Sequence, residues 1–158
     1  MVFHIGDTVI HKRYGLGEVI ELDEKELSGH PTRCYVVRIR DLTMWVPAEE
    51  SERSSLRPPT PRGEFERLFA ILRSPGEQLS NDRFERKTQL HEYMKDGQLE
   101  GICRAIRDLN SLGSMRKLNV DDRTVLERAE SFLVNEWMHS FSVSQVQAQR
   151  ELNQLLSV

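Results

Sequence analysis

The stretch whose residue types and spacing could do chemistry is Arg83-Phe84-Glu85-Arg86-Lys87. Ser80-Asn81-Asp82, three good capping residues, stand directly before it and predict a helix running through about Lys95. On that helix Arg83, Arg86 and Lys87 fall at i, i+3 and i+4 and so share one face. Cations beside the free N–H groups of a helix N-terminus suit a phosphate. The alternative is a solvated face balanced by Asp82 and Glu85. The second such stretch is Met44-Trp45, just before Pro47 on a predicted strand. Consecutive strand side chains point to opposite faces, so one of the two points outward and could anchor a partner. The alternative places Trp45 in the core.

Nothing nominates a catalyst. There is no GxxxxGK[ST] phosphate loop, and Gly15-Leu16-Gly17 is too short for a dinucleotide fingerprint. His4, His11, His30, His91 and His139 are scattered, without HExxH or paired-carboxylate spacing, and read as surface or strand-edge residues. Cys34 and Cys103 lack CxxC or Cys/His companions and read as buried, inert thiols. The expectation is a non-enzyme without metal or cofactor.

Composition narrows the class further. The chain has 158 residues, 38% hydrophobic and 30% charged, which is ordinary for a globular protein. No apolar run approaches the ~18–20 residues of a membrane span. The opening MVFHIGD lacks the basic and apolar regions of a signal peptide, so the expected location is cytoplasmic. Net charge is −3; Lys+Arg against Asp+Glu count 8 to 10 before Pro61 and 14 to 15 after it. Any contact with DNA therefore comes from a local patch, in a weak binder tethered by something else.

The elements that position these residues change character midway. FHIGDTVIHKRYGLGEVIEL reads as the corner of a small twisted barrel, with Ile5, Val9, Val19 and Leu22 on apolar faces. Gly6-Asp7 and the Tyr14–Gly17 segment mark its turns. Glu24 to Pro31 reads as a charged turn. In the strand Arg33–Arg40, Cys34, Val36 and Arg38 take one face, and Tyr35, Val37 and Ile39 the other. Leu42–Pro47 forms a further strand ended by Pro47, and Ser55-Leu56-Arg57 a last short one. Such a chain suggests a Tudor- or SH3-like β-barrel, whose usual work is to hold another protein or nucleic acid. Pro58-Pro59-Thr60-Pro61 reads as a stiff linker.

After the linker the period becomes 3.6. Phe65, Leu68, Phe69 and Leu72 stripe a helix that stops at Ser74-Pro75-Gly76. The second helix turns Leu90, Tyr93 and Met94 inward, and a third carries Leu99, Ile102, Ile106 and Leu109. A fourth begins at Asn119 or Asp121 and runs through Trp137. Ser144 caps the last, with Val146, Leu152, Leu155 and Leu156 on its apolar side. The fold class is α+β in two domains: a β-barrel over 1–57, a Pro-rich linker over 58–63 and an all-helical bundle over 64–158.

The residues also resemble a known family. FHIGDTVIHKRYGLGEVIEL, the later Trp45-Val46-Pro47-Ala48-Glu49, FAILRSP from Phe69 to Pro75 and RAIRDLN from Arg104 to Asn110 look like the CarD/CdnL bacterial transcription regulators, over essentially the whole chain. The resemblance implies a Tudor-like domain, similar to that of the transcription-repair coupling factor, that docks on the β subunit of RNA polymerase. It further implies a helical domain that contacts promoter DNA at the upstream edge of the bubble and stabilises the open complex. On this basis Lys25 and Trp45 face polymerase and Lys87 and Arg123 face DNA; Met44 and Pro47 on the strand join the first set, and Arg83, Phe84 and Arg86 at the helix start join the second, with a monomer sufficient. Trp45 stands where the family pattern has an arginine, so an apolar anchor replaces a salt bridge. Asp82 stands where many members carry a tryptophan wedge. Phe84 either substitutes for that wedge or packs inside the domain; a two-residue shift turns a helix by about 200° and favours packing. The alternative function is a polymerase- or protein-binding adaptor without productive DNA contact.

Overall fold

In the computed structural model, which describes residues 2–27, 29–48 and 55–157, the chain divides into two compact units, Met1–Pro59 and Thr60–Val158. The first unit is a five-stranded antiparallel sheet built from β1 (Thr8–His11), β2 (Gly15–Leu27), β3 (His30–Ile39), β4 (Leu42–Pro47) and β5 (Leu56–Arg57). The strand order is β4-β3-β2-β1-β5. Val9, Val19, Tyr35, Val37, Val46 and Leu56 fill its concave core. The Phe3 N–H donates to Tyr35 Oη at 3.1 Å, which ties the N-terminal segment over that core.

Two glycines are required here for different reasons. Gly6 turns at a φ of +95°, where side chains are disfavoured. Gly17 has an ordinary backbone but no room: a Cβ would come 2.5 Å from Ile39 Cγ1 and 2.8 Å from the Arg38 carbonyl.

The segment from Glu24 to Pro31 is a ladder rather than a charged turn. Glu24 pairs Arg33, Lys25 pairs Thr32 and Leu27 pairs His30. Opposite charges across the strands, as in Glu24 and Arg33, favour that pairing despite the low strand propensity of the acids. Leu22 and Ile5, expected on apolar faces, are both exposed. Glu49, part of the resemblance motif, lies outside the described residues.

The second unit is all helix: a short 3-10 turn at Arg62–Glu64, then α1 (Phe65–Arg73), α2 (Arg83–Met94), α3 (Leu99–Met115), α4 (Val120–Phe141) and α5 (Gln145–Leu156). Phe65, Leu68, Ile106, Leu133, Trp137 and Leu152 form its main core. Thr60 belongs to this unit: its N–H donates to Glu136 Oε2 at 2.8 Å, and its carbonyl accepts from Ser140 Oγ at 2.7 Å. On α5 the buried positions are Ala148 and Leu152, whereas Val146 is exposed. The helix turns the i, i+4 pair inward.

Candidate nucleic-acid and partner interface

On the outer face of the sheet, β2, β3 and β4 bring Asp23, Lys25 and Trp45 together. Trp45 Nε1 donates to Asp23 Oδ2 at 3.1 Å, and Lys25 Nζ lies 3.8 Å from the centroid of the indole. Because β3 separates β4 from β2, an indole making that bond crosses β3 above Cys34 and Val36, which are 1% and 2% exposed. Trp45 is itself 40% exposed, so it covers these residues and still presents an aromatic face outward. Met44 turns the other way and packs against the barrel core, and Pro47 is exposed at the end of β4. The Glu24 N–H, then the Trp45 indole N–H, hold the Asp23 carboxyl below its ordinary range. Asp23 was not a sequence candidate; only the register across β3 connects it to Trp45.

This covering role has a measurable consequence. Trp45→Ala is expected to raise the rate at which Cys34 reacts with an aromatic disulfide in the native protein. Cys103, wholly buried in the helical unit with its thiol pushed up to about 12 by burial, is expected to stay silent in both proteins. Equal Cys34 rates with and without the indole would show that Trp45 does not cover it.

In the helical unit the site is organised by one buried ion pair. Arg86 Nε donates to Asp122 Oδ1 at 2.8 Å, with the two side chains 3% and 6% exposed. Arg86 Nη1 also donates to the Ser80 carbonyl at 2.9 Å. The pair clamps the N-terminus of α2 to the N-terminus of α4. Arg86 is therefore withdrawn from the basic face on which its spacing placed it: its guanidinium is consumed inside the unit and cannot meet a phosphate. The i, i+3 spacing was correct, but the stripe straddles the boundary between buried and exposed surface.

Around the clamp stand the remaining candidates. Asp82 caps α2, its Oδ1 accepting from Phe84 N at 2.8 Å and Glu85 N at 3.1 Å. Asn119 caps α4 in a reciprocal capping box with Asp122. Phe84 is 68% exposed and does not pack in the domain; the Arg83 guanidinium lies 5.0 Å from its ring centroid. The Asp82 cap sets the helix start, and Phe84 then falls on the solvent side while Arg86 and Leu90 turn inward. Lys87 and Arg123 are exposed and have no side-chain partner among the described residues. Val120, at the first turn of α4, is likewise exposed and was missed in the sequence.

A second buried carboxylate steadies the approach to α2. Asp108 on α3 accepts from Glu77 N at 2.8 Å, Tyr93 Oη at 2.8 Å and Arg107 Nε at 2.9 Å. Burial, with the Asp108 bond, pushes the Tyr93 hydroxyl up to about 12, so it remains a donor.

The antiparallel barrel thus carries an anchored surface tryptophan, and the helical unit carries exposed cations and an exposed aromatic ring. The sequence matches the CarD-like/TRCF RID domain over residues 3–59 and the CarD C-terminal domain over residues 67–153. The chain belongs to the CarD-like family of transcription factors. It is 25% identical over 138 residues to the "Putative transcription factor YdeB" of Bacillus subtilis (strain 168), covering 85% of this chain and 90% of that protein.

Proposed function

We propose that this transcription regulator binds the β subunit of RNA polymerase through its barrel and stabilises the promoter open complex through its helical unit. The observation that carries the reading is the clamp between Arg86 and Asp122, which sets Phe84, Lys87 and Arg123 around two adjoining helix N-termini. Lys87 and Arg123 serve phosphates there, and the exposed ring of Phe84 offers an apolar contact to bases. On the barrel, Lys25, Trp45 and Pro47 form the polymerase-facing surface, with the Trp45 indole held by Asp23 as a rigid anchor. Met44 supports that strand from the core side. Weak DNA contacts suffice because docking on polymerase raises their effective concentration. The contacts proposed for each unit require only one copy of the chain.

Open-complex lifetime on a ribosomal-type promoter, with the polymerase of the source organism, tests this. Wild-type protein is expected to lengthen the lifetime. Lys87→Glu is expected to abolish the lengthening while leaving polymerase binding intact, and Lys25→Glu to weaken polymerase binding itself. The second reading, an adaptor without productive DNA contact, is favoured by Asp82 and the net charge of −3. Polymerase binding with no change in lifetime would select it.

A further inference from the structure

Among the fourteen Lys and Arg residues after Pro61, two stand in the connection between α3 and α4: Arg116 and Lys117. Both side chains are exposed and have no partner among the described residues. Their place in the fold is not arbitrary. Leu118, next in the chain, packs into the cluster of Leu79, Leu90 and Leu112, which pins this connection against α2 and the segment leading into it. Asn119 follows as the cap of α4, and Asp122 three residues later is the partner of Arg86. The end of α3 and the starts of α2 and α4 thus meet at one end of the bundle. That end carries Arg83, Lys87, Arg116, Lys117 and Arg123.

The acids at this end do not cancel them equally. Asp82 accepts from the α2 N–H groups, Glu85 from Ser80 Oγ and Asp122 from Arg86. Asp121 sits in the first turn of α4, facing the positive end of that helix dipole. Three of the four carboxylates are turned to intramolecular donors, whereas among the described residues four of the five cations lack a side-chain partner and Arg83 meets an aromatic ring. A chain that is acidic overall therefore holds a local cationic end.

We infer that Arg116 and Lys117 form a second phosphate-contacting element, which extends the DNA surface of α2 and α4 onto the connection between α3 and α4. The inference rests on the proposed DNA role of the helical unit. Its ligand is the phosphodiester backbone, read without regard to base identity, because exposed flexible cations position DNA and do not specify sequence.

The test measures how the open-complex lengthening factor depends on salt for the full chain, for Arg116→Ala/Lys117→Ala and for Lys87→Glu, with polymerase binding and melting temperature as controls. Each lost phosphate contact lowers the slope of log factor against log salt by ~0.9. The double variant is expected to lose about 2 from the slope and to weaken the effect on promoters of different sequence alike. Its polymerase binding and melting temperature should not change. If Lys87→Glu abolishes lengthening but the double variant keeps the wild-type factor and slope, this inference falls and the DNA reading stands. If wild-type protein binds polymerase without lengthening the lifetime, both fall.

Discussion

Asp122→Ala is expected to destabilise the helical unit by about 3–5 kcal/mol, because it leaves the Arg86 guanidinium buried without its counter-charge. The second loss adds to the first. Asp122 is the reciprocal partner in the Asn119 capping box, accepting from Asn119 N at 3.4 Å. For a unit of this size the melting temperature should fall by more than about 10 °C, read by calorimetry. Asp121→Ala, at the exposed neighbouring position, should change stability by no more than about 0.5 kcal/mol. The comparison with Arg86→Met/Asp122→Leu separates the worth of the pair from the penalty of breaking it. An apolar replacement of both partners is expected to recover most of the stability. A single Asp122→Ala variant as stable as wild type would mean that Arg86 finds water or another acceptor, and the clamp would then not position α2 against α4.

Gly101→Ala is the second large effect. α2 and α3 approach so closely at this glycine that an added Cβ falls on the Tyr93 carbonyl, 2.9 Å from its carbon and closer still to its oxygen. Backbone cannot swing aside as a flexible side-chain tip can, so the last turn of α2 must lift away from α3. Overpacking ordinarily costs about 1–3 kcal/mol, and a clash with backbone belongs at the upper end of that range. The lift would also strain the bond from Tyr93 Oη to Asp108. Gly63→Ala is the matched control, with nothing within 4 Å of its Cβ, and should be near neutral. Chemical denaturation of the two variants decides the matter: equal midpoints would rule out the close approach.

How much of this was legible in the sequence varies with the range of the interaction. The five helices were readable because each carries a 3.6-residue apolar stripe with local start and stop signals, such as Asp82, Asn119 and Ser144. The strands were readable from alternation, and both faces of β3 came out as assigned. The strand from Glu24 to Leu27 was not, since charged residues there are held by pairing partners on β3 rather than by their own propensity. The α5 stripe missed at Val146 because a small Ala148, unremarkable as a hydrophobe, was the residue facing the core.

The site divides in the same way. Sequence alone determined that cations and an aromatic residue gather at a helix start, that one of Met44 and Trp45 points outward, and that bulk charge excludes a strongly basic binder. These follow from residue type and short periods, which a linear chain displays directly. Tertiary structure alone decided that Trp45 rather than Met44 is the outward residue, and that Asp23 holds it. It also decided that Arg86 is spent on Asp122, that Phe84 stays in solvent, and that Arg116 and Lys117 arrive beside α2. Each of those outcomes depends on a partner between 22 and 36 residues away, or on which arc of a helix meets its neighbours. Local spacing places a side chain on a face; only packing determines whether that face is covered.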